Sequence, residues 1–426
     1  MAGMDGKDSM DGIDSMETNL SIDEQVAILM RGADFGDAQT FTNMEKELRV
    51  RLLESQQTKR PLKVYLGVDP SAPDIHLGHT VPMRKLRQFQ ELGHECTFLI
   101  GNFTSLIGDP SDKEGARKQL TPEQVAANAA TYTAQAFKVL DSEKTSIRFN
   151  AEWLAPLSFA DVIRLAANFT VQQFLARDNF AKRFANGDAI WLHEFFYALM
   201  QGYDALALQT DVQVGGTDQL FNLMAGRKLA EGANQRPQVA ITLPILVGTD
   251  GHLRMSKSTG NAIGISEPPA QMYGKVMSIP DHAMSNFMNL VTRWTPAQIK
   301  RLEDDLATGA AHPRDVKMKL AFEIVEIFHG ADAAQEAEAH FRTVFQEREL
   351  PADMPEFVMS GPLALLDLLQ AAGLTASRGE GRRLLAQGGI KLDGQRLEQI
   401  ETVIDLGAAG SRILQVGRRH FVRLVG

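Results

Sequence analysis

The first part of the chain alternates short apolar stretches with amphipathic ones. Apolar runs rich in branched residues occur at residues 62–68, 96–101, 146–149, 211–216 and 239–248, each about as long as a buried strand. Between these runs, apolar residues recur every three or four positions, as in helices that cover one face of a sheet. Strands that alternate with helices predict an α/β fold with a doubly wound parallel sheet, which binds ligands at the carboxyl ends of its strands.

Capping residues mark where several helices begin. Thr121 and Gln124 form a capping box with proline at the first helical position, and Ser158 and Asp161 repeat the box without the proline. In this part of the chain the pattern predicts helices over residues 22–54, 75–92, 121–140, 158–168 and 189–206, and another from residue 218.

The apolar pattern changes after about residue 281, where strand signals stop. Two proline-marked helices follow, then a segment with three prolines, then two short helices and a hairpin at Asp393 and Gly394. An all-helical domain and a small α+β domain are therefore expected after the sheet domain. The expected divisions are a disordered acidic tail (1–20), the sheet domain (21–270), the helical domain (271–350), a linker (351–361) and the α+β domain (362–426).

Composition indicates a soluble cytoplasmic protein with an anionic partner. The only cysteine is Cys96, the first 20 residues lack a secretory signal, and no apolar run approaches the ~20 residues of a membrane span. The net charge is −9, yet residues 378–426 carry nine Lys and Arg against five Asp and Glu. A basic end on an acidic chain is typical of a protein that binds an anionic polymer.

The stretch "DIHLGH" places two histidines at a predicted strand-to-helix junction. If residues 75–79 form the first helical turn, His76 and His79 lie on one face beside unpaired backbone N–H groups, where anions bind. Gly78 would leave the backbone open to a nucleotide ring. The alternative is a pair of packing histidines. A zinc site is not expected, because the helical pattern for zinc needs an i, i+4 pair with a glutamate.

A second stretch, "GHLRMSKSTGNAIG" at residues 251–264, is a glycine-flanked loop with cations and hydroxyls. Arg254, Ser256, Lys257 and Ser258 could close on a phosphate as a mobile clamp. The alternative is an ordinary solvated loop. The sequence GxxxxGK[ST] of a P-loop is absent from the chain.

The HxGH stretch and the late RMSKS stretch together resemble the class I aminoacyl-tRNA synthetases, from about residue 30 to the end. The resemblance implies a Rossmann-type catalytic domain followed by a helical anticodon-region domain. It also implies that His76, His79, Arg254 and Lys257 stabilise the polyphosphate of ATP as it leaves. Arg254 stands where the family usually has lysine, so charge is kept while geometry differs.

Tyr197, Gln201 and Asp204 fall at i, i+4 and i+7, one stripe of a predicted helix. With "YLGVDPSAP", "LIGDPS", "YALMQGYD" and "VGGTDQ", they resemble the bacterial tyrosyl-tRNA synthetase family. As single residues, Asp69 and Asp109 could equally serve turns, since each precedes a proline. For the amino acid, the resemblance implies that Tyr65 and Asp204 bind the phenol and that Tyr197, Gln201 and Asp109 bind the ammonium. Gln219 would bind the carboxylate or the α-phosphate. For ATP, the resemblance implies that Asp218 binds the ribose and that the nucleotide is bound by Gly67, Asp69, Gly78, Ser256 and Ser258.

The stretch "GLTASRGEGRRLLAQGGIKLDGQRL" resembles an S4-type RNA-binding domain. Its basic residues Arg378, Arg382 and Arg383 lie on or before one short predicted helix, with two of them four residues apart. They could contact RNA phosphates, and the alternative is a solvated charged face.

The resemblance implies ATP-dependent activation of L-tyrosine to tyrosyl-adenylate and transfer to the 3′ end of tRNA(Tyr). ATP would be a substrate with Mg²⁺, no metal would be resident, and the chain would form a homodimer without membrane partners. No insertion large enough for an editing domain occurs between the capped helices. Two alternatives stay open: a relative that charges tryptophan, and a non-catalytic RNA-binding paralogue.

Overall fold

The computed structural model describes residues 20–70, 72–111, 121–257, 259–345, 354–359, 361–375, 377–397, 399–406, 410–417 and 420–426. Nearly all of the predicted acidic tail lies outside the described residues, as does part of the predicted linker. The chain forms two compact units, Met1–Gln335 and Glu336–Gly426. Within the described residues no helix has both the length and the apolar character needed to span a bilayer.

A five-stranded sheet organises the first unit. Its strands are β1 (Lys63–Val68), β2 (Glu95–Ile100), β3 (Thr145–Phe149), β4 (Val212–Gly216) and β5 (Val239–Leu243). They lie in the order β3-β2-β1-β4-β5, and every neighbouring pair is parallel. This confirms the predicted doubly wound sheet. The order reverses between β1 and β4, which is where such sheets bind ligands.

Helices connect the strands and continue after the last one. They are α1 (Ile22–Met30), α2 (Ala38–Thr58), α3 (Leu77–Glu91), α4 (Pro122–Ala136), α5 (Ala151–Leu154), α6 (Phe159–Ala166), α7 (Val171–Leu175), α8 (Asp178–Asn186), α9 (Leu192–Ala207), α10 (Leu220–Gly232), α11 (Pro269–Met277), α12 (Met284–Val291), α13 (Pro296–Thr308), α14 (Pro313–His329) and α15 (Ala331–Phe345). The capping boxes predicted at Thr121 and Ser158 both form, so these two helices begin where the sequence indicates.

The prediction of one continuous helix over residues 22–54 is wrong. Helices α1 and α2 are separate, and the turn between them contains Gly32 and Gly36 at φ of 73° and 76°. Positive φ ends a right-handed helix, and glycine adopts it at little cost. Asp37 then caps α2 by accepting a hydrogen bond from the Thr40 N–H at 2.8 Å.

The second unit combines helices with a small sheet, as predicted for an α+β domain. It begins within α15, and its further helices are α16 (Leu365–Ala371) and α17 (Arg378–Ala386). Its strands are β6 (Glu356–Val358), β7 (Leu363–Ala364), β8 (Ile390–Leu392), β9 (Gln395–Arg396), β10 (Val403–Ile404), β11 (Ser411–Val416) and β12 (His420–Val425). Five strands form the order β6-β12-β11-β8-β9. The hairpin predicted at Asp393 and Gly394 joins β8 to β9, with φ of 50° and 81° at those residues.

Candidate active site

A cavity of about 740 Å³ opens at the carboxyl ends of β1, β2 and β4. With one exception, Tyr65, every described residue that was predicted to bind a small molecule lines it. Ser258 lies outside the described residues. The predicted residues in the lining are Gly67, Asp69, His76, Gly78, His79, Asp109, Tyr197, Gln201, Asp204, Asp218, Gln219, Arg254, Ser256 and Lys257.

His76 and His79 lie together, although the helix begins later than predicted. Helix α3 starts at Leu77, so His76 is its N-cap residue in an extended conformation rather than part of the first turn. The two rings remain adjacent, with centroids 3.8 Å apart. The His76 N–H donates to Nδ1 of His79 at 3.2 Å. Because that nitrogen accepts, Nε2 of His79 carries the proton.

Both imidazoles are held neutral. Burial lowers the pKa of His76 to about 2, with help from His79 and the nearby cations of Lys257 and Arg254. Burial and the same two cations lower the pKa of His79 to about 4. Nδ1 of His76 is buried without a partner among the described residues. The pair therefore offers neutral hydrogen-bonding groups to an anion rather than positive charge.

Gly78 keeps the gap between His76 and the RMSKS loop open. A Cβ at this position would lie 3.0 Å from Cε1 of His76 and 3.7 Å from Cβ of Met255. Gly78 therefore leaves room for the His76 ring, and its predicted contact with a nucleotide stays a prediction. The longer loop of residues 251–264 is joined to the start of α3, since the Leu77 N–H donates to the Ile263 carbonyl at 2.9 Å.

The two cations of the RMSKS loop pair with carboxylates at the cavity. Nζ of Lys257 lies 2.5 Å from Oδ2 of Asp74, and both side chains are partly exposed. Nη1 of Arg254 lies 3.6 Å from Oδ2 of Asp218. Both cations line the same cavity as the histidines, so four groups suited to a polyphosphate face one space.

Asp204 is a buried acceptor that lines the same cavity. Its carboxyl accepts hydrogen bonds from Nε1 of Trp153 at 2.7 Å and Nδ2 of Asn150 at 3.3 Å. Burial raises the pKa of Asp204 to about 8, and these two donors oppose the rise. In its ionised form the carboxyl has no hydrogen of its own, so it is suited to accept a further hydroxyl donor.

Tyr65 is buried and is not among the residues that line the cavity. Its hydroxyl donates to Oε1 of Gln213 at 3.2 Å, on the neighbouring strand β4. Burial raises the pKa of Tyr65 well above its ordinary value, and the charge of Asp204 adds to the rise. The phenol-binding role predicted for Tyr65 stays a prediction.

The predicted stripe on α9 forms and faces the cavity. The Tyr197 hydroxyl donates to Oδ2 of Asp69 at 3.0 Å, while Oδ1 of Asp69 accepts from Thr104 at 2.7 Å. Oε1 of Gln201 is buried without a partner among the described residues. The middle of the cavity therefore presents acceptor atoms.

Asp109 and Asp218 share one amide nitrogen. Nε2 of Gln219 donates to Oδ2 of Asp109 at 2.6 Å and lies 3.3 Å from Oδ2 of Asp218. Burial raises the pKa of Asp218, and the charge of Asp109 raises it further. This end of the cavity is rich in negative charge.

Sequence reasoning missed several polar residues of the site. Asn150 and Trp153 follow β3, Thr104 follows β2, and Gln213 lies within β4, while Asp74 precedes the histidines. Asn150, Trp153 and Thr104 come within four residues after strands of a sheet already predicted to be parallel. That position is the signal that could have identified them.

The three arginines predicted to bind RNA lie on α17 of the second unit. Nε of Arg378 donates to Oδ1 of Asp367 at 2.8 Å, so this side chain is engaged in an ion pair. Arg382 and Arg383 are exposed. Their predicted role stays a prediction.

Comparison with known proteins identifies close relatives. A family model described as tRNA synthetases class I (W and Y) matches residues 56–346. A tyrosine–tRNA ligase of Moorella thermoacetica is 51% identical over 381 residues, covering 89% of this chain and 92% of the relative. Another, of Geobacter sulfurreducens, is 47% identical over 408 residues, covering 95% of this chain and 99% of the relative.

Solved structures share the fold. The tyrosyl-tRNA synthetase of Archaeoglobus fulgidus complexed with L-tyrosine matches with a TM-score of 0.58 at 23% identity, over 75% of this chain and all of that one. The Aeropyrum pernix enzyme matches with a TM-score of 0.58 at 22% identity, over 75% and 98%. The family model and the curated relatives each span most of the sequence, and the chain therefore belongs to the class I tRNA synthetases (W and Y), within the tyrosine–tRNA ligase family.

Proposed function

We propose that the chain activates L-tyrosine with ATP to tyrosyl-adenylate and transfers the tyrosyl group to the 3′ end of tRNA(Tyr). The curated relatives are tyrosine–tRNA ligases, and this chain matches them over almost their whole length, which supports this reaction. The substrate would lie along the cavity, with its phenol at Asp204 and its carboxylate toward the histidines.

The acceptor atoms at the middle of the cavity are the observation that carries the proposal. An ammonium group has three N–H donors and no acceptor. The hydroxyl hydrogen of Tyr197 is directed to Asp69, so the hydroxyl oxygen faces the cavity as an acceptor. Oε1 of Gln201, which has no partner in the part of the chain that the structure describes, and the carboxylate of Asp109 are the other two acceptors. Three acceptors of this kind match the α-ammonium of an amino acid.

The chemistry would need no protein nucleophile. The tyrosine carboxylate attacks the α-phosphorus of ATP, the bond to the bridging oxygen breaks, and pyrophosphate leaves. The terminal ribose hydroxyl of the tRNA then attacks the adenylate carbonyl, and AMP leaves. His76, His79, Arg254 and Lys257 would stabilise the charge that develops on the departing phosphates, since they line one space. Gln219 would orient the α-phosphate or carboxylate.

For the nucleotide, we propose that Asp218 holds the ribose and that the adenylate packs against Gly67, with Asp69 nearby. We propose that Mg²⁺ enters with ATP, bound mainly by phosphate oxygens, and that it supplies charge neutralisation there. The carboxylates of Asp69 and Asp109 already accept hydrogen bonds from protein donors, which is consistent with a metal that relies on phosphate.

Amino-acid-dependent ATP–pyrophosphate exchange tests the proposal directly. We expect exchange with L-tyrosine and far less with L-phenylalanine, which has no hydroxyl to donate to the buried Asp204 carboxyl. L-tryptophan serves as the third substrate. Faster exchange with tryptophan would favour the tryptophan-charging alternative, and no exchange with any of the three would favour a non-catalytic paralogue.

We propose that the chain is a homodimer joined through residues 149–192. Of fourteen large apolar side chains that are exposed among the described residues, seven come from this tenth of the chain. They are Phe149, Phe159, Ile163, Val171, Phe184, Trp191 and Leu192. Helix α6 buries none of its residues although Phe159 and Ile163 lie one turn apart. Such a concentration of exposed apolar surface is typical of an interface.

We further propose that the second unit binds tRNA as an S4-type domain, with Arg382, Arg383 and Arg378 at phosphates. The affinity for tRNA should fall with salt, and each phosphate contact removed should lower the slope of log K against log salt by about 0.7–0.9. An R382A/R383A double variant with an unchanged slope would contradict this.

A cytoplasmic location is also proposed, consistent with the single, buried Cys96.

A further inference from the structure

Arg177 is a buried cation beside Asp109, one of the three proposed ammonium acceptors. It precedes α8, and its side chain is only 7% exposed. Its guanidinium carbon lies 5.1 Å from the ring centre of Phe221 and 5.9 Å from that of Phe180. Burying a charge is costly unless a partner compensates it, so the partners of this guanidinium indicate its role.

Those partners lead to Asp109. Nη2 of Arg177 donates to Oγ of Ser111 and lies 3.9 Å from Oδ1 of Asp109. Ser111 in turn donates to the same Oδ1 through its hydroxyl and through its N–H, the latter at 2.9 Å. The aromatic contacts and these polar contacts fix the guanidinium, and the guanidinium fixes the turn that carries Asp109.

The opposite oxygen of Asp109 is fixed as well. Oδ2 accepts from Gln219 at 2.6 Å, so the two carboxylate oxygens are held from two sides. Asp109 lines the cavity, whereas Arg177 is not among the residues that line it. Arg177 therefore has the geometry of a group that acts on a ligand through another residue.

We propose that Arg177 is a positioning residue that orients the Asp109 carboxylate toward the substrate ammonium without touching the substrate. The inference rests on the proposed function, in which Asp109 accepts from that ammonium. A bare cation near an ammonium site would repel it, so removal of a cation that did nothing else would strengthen binding. Removal of a positioning cation has the opposite effect, and the sign of the change distinguishes the two.

The test compares two ligands on the full-length chain by calorimetric titration. L-tyrosine carries the ammonium, and 3-(4-hydroxyphenyl)propionate has the same phenol and carboxylate without it. R177M keeps a long side chain between the two phenyl rings but removes the charge, and R177K restores the charge. We expect R177M to weaken L-tyrosine about tenfold, R177K to recover part of the loss, and the propionate to change less than twofold.

S111A provides a second route if R177M does not fold. It removes the bridging hydroxyl and leaves Arg177 in place, so it should weaken L-tyrosine about threefold with little effect on the propionate. Unchanged or tighter binding of L-tyrosine by the folded variants would overturn the inference, and so would equal losses for both ligands. A wild-type chain that does not bind L-tyrosine would instead contradict the proposed function.

Discussion

The homodimer proposal is tested sharply by placing a charge at Phe159. This side chain is 79% exposed in the single chain, so replacing it removes few contacts within the fold. Phe159 is also the first residue of α6, where aspartate is favourable because the helix dipole is positive there. F159D should therefore leave the monomer folded, and its effect should fall on association.

The expected size of the effect follows from the exposed surface. Fully burying a phenylalanine is worth roughly 1.5–3 kcal/mol, so four fifths of one is worth about 1–2.5 kcal/mol. A two-fold interface contains two copies, which doubles the loss to roughly 2–5 kcal/mol before the cost of burying two carboxylates. The dimer dissociation constant should thus rise about thirtyfold or more.

Sedimentation equilibrium measures this directly. The chain has a mass of 46.9 kDa, so a wild-type dimer has twice that mass, and F159D should shift toward the single-chain value. V358D is a matched control, since Val358 is 69% exposed but lies outside residues 149–192. A wild-type chain that stays at 46.9 kDa at micromolar concentration, or an F159D dimer as tight as wild type, would refute the reasoning.

Three further predictions follow from the site. Y65F should lower the tyrosine-over-phenylalanine ratio of kcat/KM in the exchange assay several-fold, because a neutral hydrogen bond contributes about 0.5–1.5 kcal/mol; an unchanged ratio would contradict the phenol-binding role. Since the folded pKa values of His76 and His79 (about 2 and about 4) lie below the ordinary 6.5, the folded state binds fewer protons and loses stability as pH falls below 6.5. Between pH 8 and pH 5, each histidine should lower the free energy of unfolding by about 2 kcal/mol. In urea unfolding, the free energy of unfolding of H79Q should therefore fall by about 2 kcal/mol less than that of wild type. Equal falls would show that His79 is protonated in the folded protein at pH 5. D74N removes the exposed partner of Lys257, an ion pair that contributes about 0.2–1 kcal/mol. It should lower the KM for ATP up to about fivefold and leave the KM for tyrosine unchanged. A higher KM for ATP would mean that Asp74 assists nucleotide binding.

The sheet could be predicted because its central strands are short apolar runs, whereas the edge strand β3 is more polar and more exposed. A parallel strand covered on both faces is apolar throughout, and all five residues of β5 are buried. Short helices such as α7 and α8 were missed, because five to nine residues contain too little periodicity to be recognised. Strands β11 and β12 of the second unit were also missed, since each mixes polar and apolar residues at an exposed sheet.

The candidate site was predictable where a motif supplied several residues in one stretch. His76 and His79 come from one such stretch, and the sheet order brings them to the same edge as Asp204. Partners that depend on lateral strand order were not predictable. Gln213 meets Tyr65 only because β4 lies beside β1, a neighbour that is distant in sequence. Local patterns do not contain such pairings.

The hydrogen-bond directions at the phenol end indicate how Tyr65 and Asp204 could both bind one hydroxyl. A phenol has one hydrogen to donate, and Asp204, which already accepts from Trp153 and Asn150, is suited to accept it. Tyr65 must then donate to the phenol oxygen, yet its hydrogen is directed to Gln213. Rotation about the C–O bond of Tyr65 supplies that hydrogen bond but takes the Tyr65 donor away from the buried Oε1 of Gln213, a loss of about 1–3 kcal/mol that the contact with the phenol has to offset. Phenylalanine offers neither partner, which leaves the Asp204 carboxyl buried without a third donor.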